Sequence, residues 1–288
     1  MKKILLQLDT DTQSSSFDSV VAIDSDVDQL LRFDNVKPDE VMPLVHGCIF
    51  TRSPEELRNT AIFIGGNSVS RSNELLDAVK RSFFGPMRVS VLLDPNGCNT
   101  TAAAAVLRCE QHLTLKDCKA IVLAGTGPVG QRIATILRHQ GARVTITSRS
   151  PNKLDESLAY LNNHSSNGQT VTGIISNSST GNLDAVQGHD VVFAAGAAGV
   201  ELLGSGWMQS AKGLKVAIDI NAVPPTGLSG IQPFDKHEIR EGITCYGAIG
   251  VGGLKMKIHK AAIRGLFSSN DKCLDTHEIF ALGKAHVV

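Results

Sequence analysis

The sequence has little that would place it on a nucleic acid or within a membrane. Its 288 residues carry 28 basic and 28 acidic side chains, so the formal net charge is zero. No excess of one sign attracts a nucleic acid or an anionic membrane surface. No run approaches the roughly 20 apolar residues that a membrane-spanning helix needs. We therefore expect a small molecule as the ligand, with no nucleic-acid or membrane partner.

Metal-binding and disulfide patterns are also missing. The six cysteines form no C-x-x-C pair, and the nine histidines include no H-E-x-x-H motif. We therefore expect no metal site. Dispersed cysteines in a chain of this size are typical of free thiols in a reducing cytoplasm, which is the predicted location.

The length and the 42% of hydrophobic residues predict about two domains. In the first hundred residues, short apolar runs predict strands over residues 3–8, 17–23, 60–64 and 88–93. A helix is predicted over residues 72–83, because Leu75, Leu76, Val79 and Phe83 recur at helical spacing. This alternation indicates a first α/β domain.

The next segment predicts a regular alternation of strand and helix. An Ala-rich helix over residues 102–113 follows a plausible cap at residues 99–101. Strands are then predicted over residues 119–124, 143–148, 170–175, 190–194 and 215–220, with a helix over residues 128–140 and a polar stretch at 162–168. Such alternation predicts a parallel sheet covered on both faces.

The final stretch, residues 254–288, predicts two helices that return to the first domain. The expected fold is a Rossmann-type doubly wound parallel sheet plus a smaller N-terminal α/β domain, with a cleft between them. The predicted substrate domain comprises residues 1–100 and 255–288, and the predicted NADP-binding domain comprises residues 101–254.

A glycine-rich turn carries the clearest functional signal. It matches G-x-G-x-x-G and consists of Gly125, Thr126, Gly127, Pro128, Val129 and Gly130. The motif alone is weak, but here it leaves an apolar predicted strand and opens a predicted helix. Backbone N–H groups and the helix dipole then face a ligand in the turn. We interpret it as a site for the pyrophosphate of a dinucleotide.

The end of the second strand of this unit predicts which dinucleotide binds. NAD-binding proteins place an acidic residue there, about 20 residues beyond the glycines. Here Arg149 lies 24 positions after Gly125 (149 minus 125), flanked by Ser148 and followed by Lys153. These side chains suit a 2′-phosphate, so the predicted cofactor is NADP. The alternative, that Arg149 and Lys153 are ordinary solvated side chains, remains open.

Three further segments combine polar residues or glycines with predicted strand ends: residues 94–101, 219–225 and 247–255. In an open α/β sheet such places face ligands. Lys255 follows a glycine-rich turn at what is predicted to be a helix N-terminus, where a cation gains nothing from the helix dipole. A bound ligand or an acidic partner would explain its position.

These segments resemble the methylene-tetrahydromethanopterin dehydrogenase family of one-carbon metabolism in methylotrophic bacteria. The similarity runs nearly end to end. It includes residues 7–11, 17–18, 83–86, 94–101, 124–130, 195–196, 221, 224–225 and 250–255, followed by Lys257 and His259.

The resemblance implies hydride transfer between NADP and the one-carbon bridge of methylene-tetrahydromethanopterin, giving the methenyl cation, with methylene-tetrahydrofolate as a possible second substrate. Positioning should dominate such catalysis. The implied catalytic residue is Lys255. The implied substrate-binding residues are Phe17, Asp18, Asp94, Asn96, Asn99, Thr100 and Thr101. Further implied cofactor contacts are Ala195, Gly196, Asn221 and Gly253. A homo-oligomer, plausibly a trimer, is also implied.

Two alternatives remain. A shikimate-type NADP-dependent alcohol dehydrogenase would need a Lys–Asp pair for proton transfer, which Lys255 and Asp94 could imitate. A non-catalytic NADPH-sensing module would have the same cofactor domain, because fold alone does not decide function.

Overall fold

The computed structural model describes residues 1–163 and 169–286 and divides into two compact units. Unit 1 comprises Met1–Thr100 and Met256–Val288, and unit 2 comprises Thr101–Lys255. Residues 164–168 of the predicted polar stretch and residues 287–288 of the predicted first domain lie outside the described residues. The roles assigned to the two domains, substrate binding and NADP binding, stay predictions.

Unit 1 is built on a five-stranded parallel sheet. Its strands are β1 (Ile4–Asp9), β2 (Gln29–Phe33), β3 (Thr60–Gly65), β4 (Ser90–Leu93) and β12 (Cys273–Leu274), in the order β12-β4-β3-β1-β2. Its helices include α1 (Ser16–Ile23), α2 (Met42–Ile49), α3 (Val69–Arg81) and α10 (Thr276–His286). Every residue of β3 is buried, as the centre of a sheet covered on both faces requires.

Unit 2 has a seven-stranded sheet. Its strands are β5 (Lys119–Leu123), β6 (Arg143–Ser148), β7 (Thr172–Ile175), β8 (Val191–Ala194), β9 (Val216–Asp219), β10 (Lys236–Arg240) and β11 (Ile243–Tyr246), in the order β10-β11-β9-β8-β5-β6-β7. Its helices include α5 (Pro128–His139), α6 (Pro151–Asn163), α7 (Ser179–Val186) and α8 (Trp207–Ser210). Two further helices, α4 (Cys98–Glu110) and α9 (Ala248–Leu266), contain the boundaries between the units.

The α/β class is confirmed, but the sheet of unit 2 is not wholly parallel. Its edge strand β10 pairs with β11 in the antiparallel direction. This hairpin was not predicted, because β10 lies at the edge of the sheet and is largely exposed, so it lacks the apolar run of a buried strand.

The strand predicted over residues 17–23 is wrong, because these residues form α1. The side chain of Ser15 caps this helix by accepting a hydrogen bond from the backbone N–H of Asp18 at 3.2 Å. Val21 and Ala22 are buried, whereas Val20 is exposed. A short apolar run does not by itself distinguish a strand from a helix. The true second strand, β2, follows six residues later.

Candidate active site

A cavity of about 410 Å³ lies in unit 2 at the carboxyl ends of β5, β6, β7 and β8. It is lined by residues 124, 126–127, 147–150, 153, 176–179, 182, 195–197 and 200–202. Strand β5 lies between β6 and β8, so the chain leaves the centre of the sheet first toward one edge and later toward the other. A sheet of this topology binds its ligand in the crevice where the two directions diverge.

Each glycine of the turn between β5 and α5 has a different role. A Cβ on Gly125 would lie 2.8 Å from Ile146 Cβ, and a Cβ on Gly130 would lie 2.7 Å from Gly125 Cα. Those two glycines permit the tight turn and the close packing of α5 against it. A Cβ on Gly127 would meet no atom nearer than 3.9 Å. Since Gly127 lines the cavity, its missing side chain leaves room for a ligand against the backbone.

The N-terminus of α5 is left open toward an anion. Gly127 is its capping residue and offers no side-chain acceptor, and Pro128 fills the first helical position. The N–H groups of the first turn have no acceptor within the helix, by helix geometry. Gln131 steadies the turn, because its Nε2 donates to Thr126 O at 3.0 Å and to Ser157 Oγ at 3.1 Å. The arrangement suits a pyrophosphate.

The loop after β6 brings two cations to the same cavity. Arg149 and Lys153 are exposed side chains that line it, and neither forms an ion pair with a described residue. Ser148 is buried, and its Oγ donates to Ser150 O and accepts from Ser150 N, each at 3.1 Å. The Ser148 hydroxyl therefore holds the turn that presents Arg149.

The charges of the cavity fit a dinucleotide that carries a 2′-phosphate. Among the described lining residues the ionisable side chains are Arg149, Lys153 and Glu201. No carboxylate lies among residues 149–153 directly after β6, where a ribose 2′-hydroxyl would be bound by an acid. Two guanidinium or ammonium donors at that strand end instead complement a phosphate.

The remaining predicted cofactor residues fall in several places. Ala195 and Gly196 line the cavity, whereas Val129 and Gly130 lie in the first turn of α5 outside its lining. Asn221 is buried, and its Nδ2 donates to Ala197 O at 3.4 Å and to Pro225 O at 3.3 Å, so it supports the loop after β8. Gly253 is exposed in α9 and does not line the cavity.

Strand β9 ends on a buried carboxylate. Asp219 is buried and accepts hydrogen bonds from Asn221 N at 2.9 Å and Leu228 N at 2.8 Å. Burial raises the pKa of Asp219, while those two bonds act in the opposite direction. Through these two hydrogen bonds Asp219 stabilises the loop that follows β9.

Several cavity residues were not identified from the sequence. Residues 176–179, which read Ser-Asn-Ser-Ser, follow β7 and line the cavity beside Asn182. Ser178 also caps α7, since its Oγ accepts from Gly181 N at 3.0 Å. A polar run directly after a predicted strand was the available signal, because neighbouring parallel strands end at the same edge of a sheet.

The polar segment 94–101 belongs to unit 1 except for Thr101, and several of its polar side chains are buried. Asp94 is fully buried; its Oδ1 accepts from Asn99 N at 2.9 Å and Thr100 N at 3.1 Å, and its Oδ2 accepts from Thr100 Oγ1 at 2.6 Å. Helix α4 begins at Cys98, so Asn99, Thr100 and Thr101 lie in its first turn, and the cap predicted there is wrong. The helix is capped by Asp94.

The side chain of Asn99 is also engaged in hydrogen bonds within unit 1. Its Nδ2 donates to Leu93 O at 2.7 Å and to Asp275 Oδ1 at 3.0 Å, and its Oδ1 accepts from Thr276 Oγ1 at 2.9 Å. It thus fastens the beginning of α10 to the end of β4. Of this predicted substrate-binding segment, Asn96 is exposed and Thr101 is half-buried, while Asp94, Asn99 and Thr100 are buried.

A second predicted group in unit 1 does come together. Phe17 is 48% exposed, and its ring centroid lies 6.4 Å from that of the buried His259. Asp18 Oδ1 lies 4.0 Å from His259 Nε2, and the Phe63 ring stacks on His259 at 5.8 Å. Phe17 therefore presents a partly exposed aromatic ring at the start of α1, beside Asp18 and the buried His259.

Lys255 is half-buried but does not stand at a helix N-terminus. Helix α9 begins at Ala248, so Gly250, Gly252 and Gly253 lie within the helix and the predicted glycine turn is wrong. Glycine disfavours a helix interior, which explains the error, and tertiary packing overrides that preference here. The dipole argument for Lys255 therefore no longer applies, and its role stays a prediction.

Within the described residues, no group of three or more histidine, cysteine or acidic side chains is arranged to hold a metal ion. All six cysteines are free thiols, and five of them are buried. Burial raises the pKa of the Cys48 thiol to about 12, which suits a packing role better than a nucleophilic one. No helix among residues 1–163 and 169–286 combines the length and the apolar character of a membrane span.

Comparison with known proteins gives two family matches and two relatives that cover nearly all of the chain. The family described as methylene-tetrahydromethanopterin dehydrogenase, N-terminal, matches residues 16–96, and that described as NADP oxidoreductase, coenzyme F420-dependent, matches residues 120–222. The bifunctional protein MdtA of Methylorubrum extorquens is 42% identical, over 98% of both chains. The NAD(P)-dependent methylenetetrahydromethanopterin dehydrogenase of the same organism is 28% identical, over 98% of this chain and 97% of its own.

Among solved structures, a shikimate 5-dehydrogenase from Listeria monocytogenes superposes with a TM-score of 0.59 at 11% identity, over 98% of this chain and 96% of its own. At that identity the likeness concerns the fold alone.

Proposed function

Because the chain belongs to the methylene-tetrahydromethanopterin dehydrogenase family, we propose that it transfers a hydride between NADP and the one-carbon bridge of methylene-tetrahydromethanopterin. The product on the carrier is the methenyl cation. Methylene-tetrahydrofolate is the second carrier included in the proposal. The observation that supports it most directly is the unit 2 cavity, where an open glycine turn and the cations Arg149 and Lys153 line one space.

Different residues of unit 2 contact different parts of the cofactor. The N–H groups at the start of α5 bind the pyrophosphate, and Gly127 allows its close approach. Arg149 and Lys153 bind the 2′-phosphate. Ala195 and Gly196 bound the cavity on the side of β8. When bound, NADP supplies the hydride acceptor, so these residues serve to fix its position.

On the substrate side, we assign the ring of the carrier to the exposed face of Phe17, with Asp18 beside it. We assign polar contacts with the carrier to Asn96 and Thr101, whereas Asp94, Asn99 and Thr100 hold α4 and α10 in place. Lys255 remains the proposed residue that orients the carrier. We expect Lys255→Gln to lower kcat/KM for the carrier while the Kd for NADPH stays unchanged.

The proposal is tested by following the NADPH absorbance band after mixing the protein and NADP with each methylene carrier, and again with NAD. NADPH formation with either carrier supports it and identifies the preferred one. Oxidation of shikimate in place of the carriers would favour the alcohol dehydrogenase alternative. Tight NADPH binding without turnover of any of these substrates would favour the sensing module.

The cytoplasmic location and the homo-oligomeric state, with a trimer as the expected form, remain part of the proposal. Cell fractionation tests the location, and light scattering on the purified protein tests the mass of the assembly.

A further inference from the structure

A second cavity, of about 380 Å³, lies in unit 1 and is lined by residues 10–13, Asn35, Asn67 and Arg71. Residues 10–13 follow β1, Asn35 follows β2 and Asn67 follows β3, so the cavity is at the carboxyl ends of three neighbouring strands. In this sheet β1 lies between β2 and β3, and the chain leaves β1 toward one edge and returns on the other side. This is the position at which a parallel sheet binds its ligand.

The lining of the cavity selects against a flat ring. It consists of hydroxyl, amide, carboxylate and guanidinium side chains, with no aromatic or large aliphatic side chain among the described lining residues. Sites for rings are mostly apolar or aromatic. The cavity therefore suits a polar, flexible part of a ligand.

Arg71 is the side chain of this cavity that suits a negatively charged ligand group. Its guanidinium forms no hydrogen bond or ion pair with a described residue, although Asp11 lines the same cavity. Asp11 is occupied elsewhere: its Oδ2 accepts from Asn67 N at 3.0 Å and Asn67 Nδ2 at 2.7 Å. The guanidinium thus keeps its donors for a ligand, and a carboxylate or phosphate is the partner that fits it.

The cavity also contains an unsatisfied polar atom. Thr10 is 1% exposed, and its Oγ1 has no hydrogen-bond partner among the described residues. Gly66, at φ +113°, packs against this hydroxyl so closely that no Cβ would fit. A buried hydroxyl without a partner costs free energy, so this strand end is locally less favourable than its neighbours.

From these observations we infer that this cavity, through Arg71, binds the negatively charged tail of the one-carbon carrier; the inference rests on the proposed function. Both tetrahydromethanopterin and tetrahydrofolate carry carboxylates on a polar chain attached to the ring system. Gln13 lies four residues before Phe17, so their Cα atoms are at most about 14 Å apart. One extended carrier can therefore contact the cavity while its ring packs on Phe17.

The experiment compares the intact wild-type protein with Arg71→Gln and with Arg81→Gln, an exposed arginine in the last turn of the same helix and outside the cavity. Calorimetric titration with tetrahydrofolate and with tetrahydromethanopterin, without NADP, gives each Kd. We expect Arg71→Gln to weaken the Kd about tenfold, the size of one charge-assisted hydrogen bond. Arg81→Gln should bind like the wild type.

A reduced pterin without the tail separates a lost contact from a distorted fold. Its affinity should be the same for the wild type and for Arg71→Gln. Equal affinities of the two proteins for the full-length carriers would overturn the inference, as would an equal loss for the tail-less pterin. Wild-type turnover together with either result would leave the proposed function standing. A wild type that binds neither carrier would overturn both.

Discussion

Two loops of this molecule each connect the carboxyl end of a parallel strand to a helix, and they leave the N-terminus of that helix in opposite states. In unit 2 the turn between β5 and α5 ends at Gly127, which leaves the first-turn N–H groups of the helix without a side-chain acceptor. In unit 1 the turn between β4 and α4 contributes Asp94, whose carboxylate accepts two first-turn N–H groups. The first helix is open to an external anion, and the second already holds an internal one.

The difference separates a binding role from a structural role for polar strand ends. An anion at a helix N-terminus gains from the dipole and from the unsatisfied N–H groups. When a buried aspartate of the chain occupies that place, the site has no capacity left for a ligand. For unit 1 we therefore propose a ligand site at other strand ends, with residues 10–13 after β1 as the candidates.

The largest effect is expected from Gly130→Ala, which would disrupt the turn between β5 and α5, here called the open loop because its helix N-terminus has no side-chain cap. The new Cβ would lie 2.7 Å from Gly125 Cα, and that backbone overlap should cost about 3 kcal/mol of stability and abolish NADPH binding. Thermal unfolding and titration with NADPH measure the two effects. Gly127→Ala is the matched control: its Cβ has room, so we expect normal unfolding with weakened NADPH binding. Normal NADPH binding by Gly130→Ala would contradict the assigned packing.

Asp94→Asn tests the turn between β4 and α4, here called the closed loop because Asp94 caps the following helix. The carboxylate accepts three hydrogen bonds while fully buried, so its replacement should lower the free energy of unfolding by about 2 kcal/mol. Urea denaturation measures this loss, with Asp77→Asn, an exposed carboxylate on α3, as the control. The KM for the carrier should not change. A large rise in that KM at unchanged stability would show that Asp94 binds substrate after all.

Arg149→Ala sharpens the assignment of the open loop to NADP. Loss of a charge-assisted contact with the 2′-phosphate should raise the KM for NADP about twentyfold and leave the KM for NAD and kcat unchanged. Steady-state rates with both cofactors provide the comparison. Lys212→Ala removes an exposed cation outside the cavity and should have no effect. Equal losses with NAD and NADP would place the 2′-phosphate elsewhere.

The smallest expected effect is that of Gln131→Ala. This side chain links Thr126 of the turn to Ser157 of α6, the helix that also carries Lys153. Its removal should raise the KM for NADP about threefold with little change in unfolding, since each neutral hydrogen bond contributes about 1 kcal/mol. Gln187→Ala, on an exposed side chain near the end of α7, is the control. No change in KM would mean that the turn needs no support from α6.

Sequence reasoning succeeded where the constraint is local. The glycine turn could be recognised because three glycines and a proline at fixed spacing define the backbone on their own. The same holds for β6, whose bounds Arg143–Ser148 equal those predicted, because alternating apolar residues between two turns leave little choice.

Roles that depend on distant residues could not be predicted. The binding of substrate by Asp94 stays a prediction, and its role as a helix cap becomes visible only with the first turn of α4 in place. Asn99 is held by Asp275 and Thr276, which are 176 and 177 positions away in the chain. Residues 17–23 formed a helix because Ser15 caps it and because one face is buried in unit 1, neither of which a short apolar run reveals.

The most direct test of the account follows the hydride itself. The methylene carrier is prepared with both hydrogens of its one-carbon bridge replaced by deuterium, and the reduced cofactor is analysed by mass spectrometry after reaction with NADP. The account predicts one deuterium in every NADPH molecule formed. NADPH without deuterium, or no NADPH from protein that binds the cofactor, would contradict hydride transfer from the carrier.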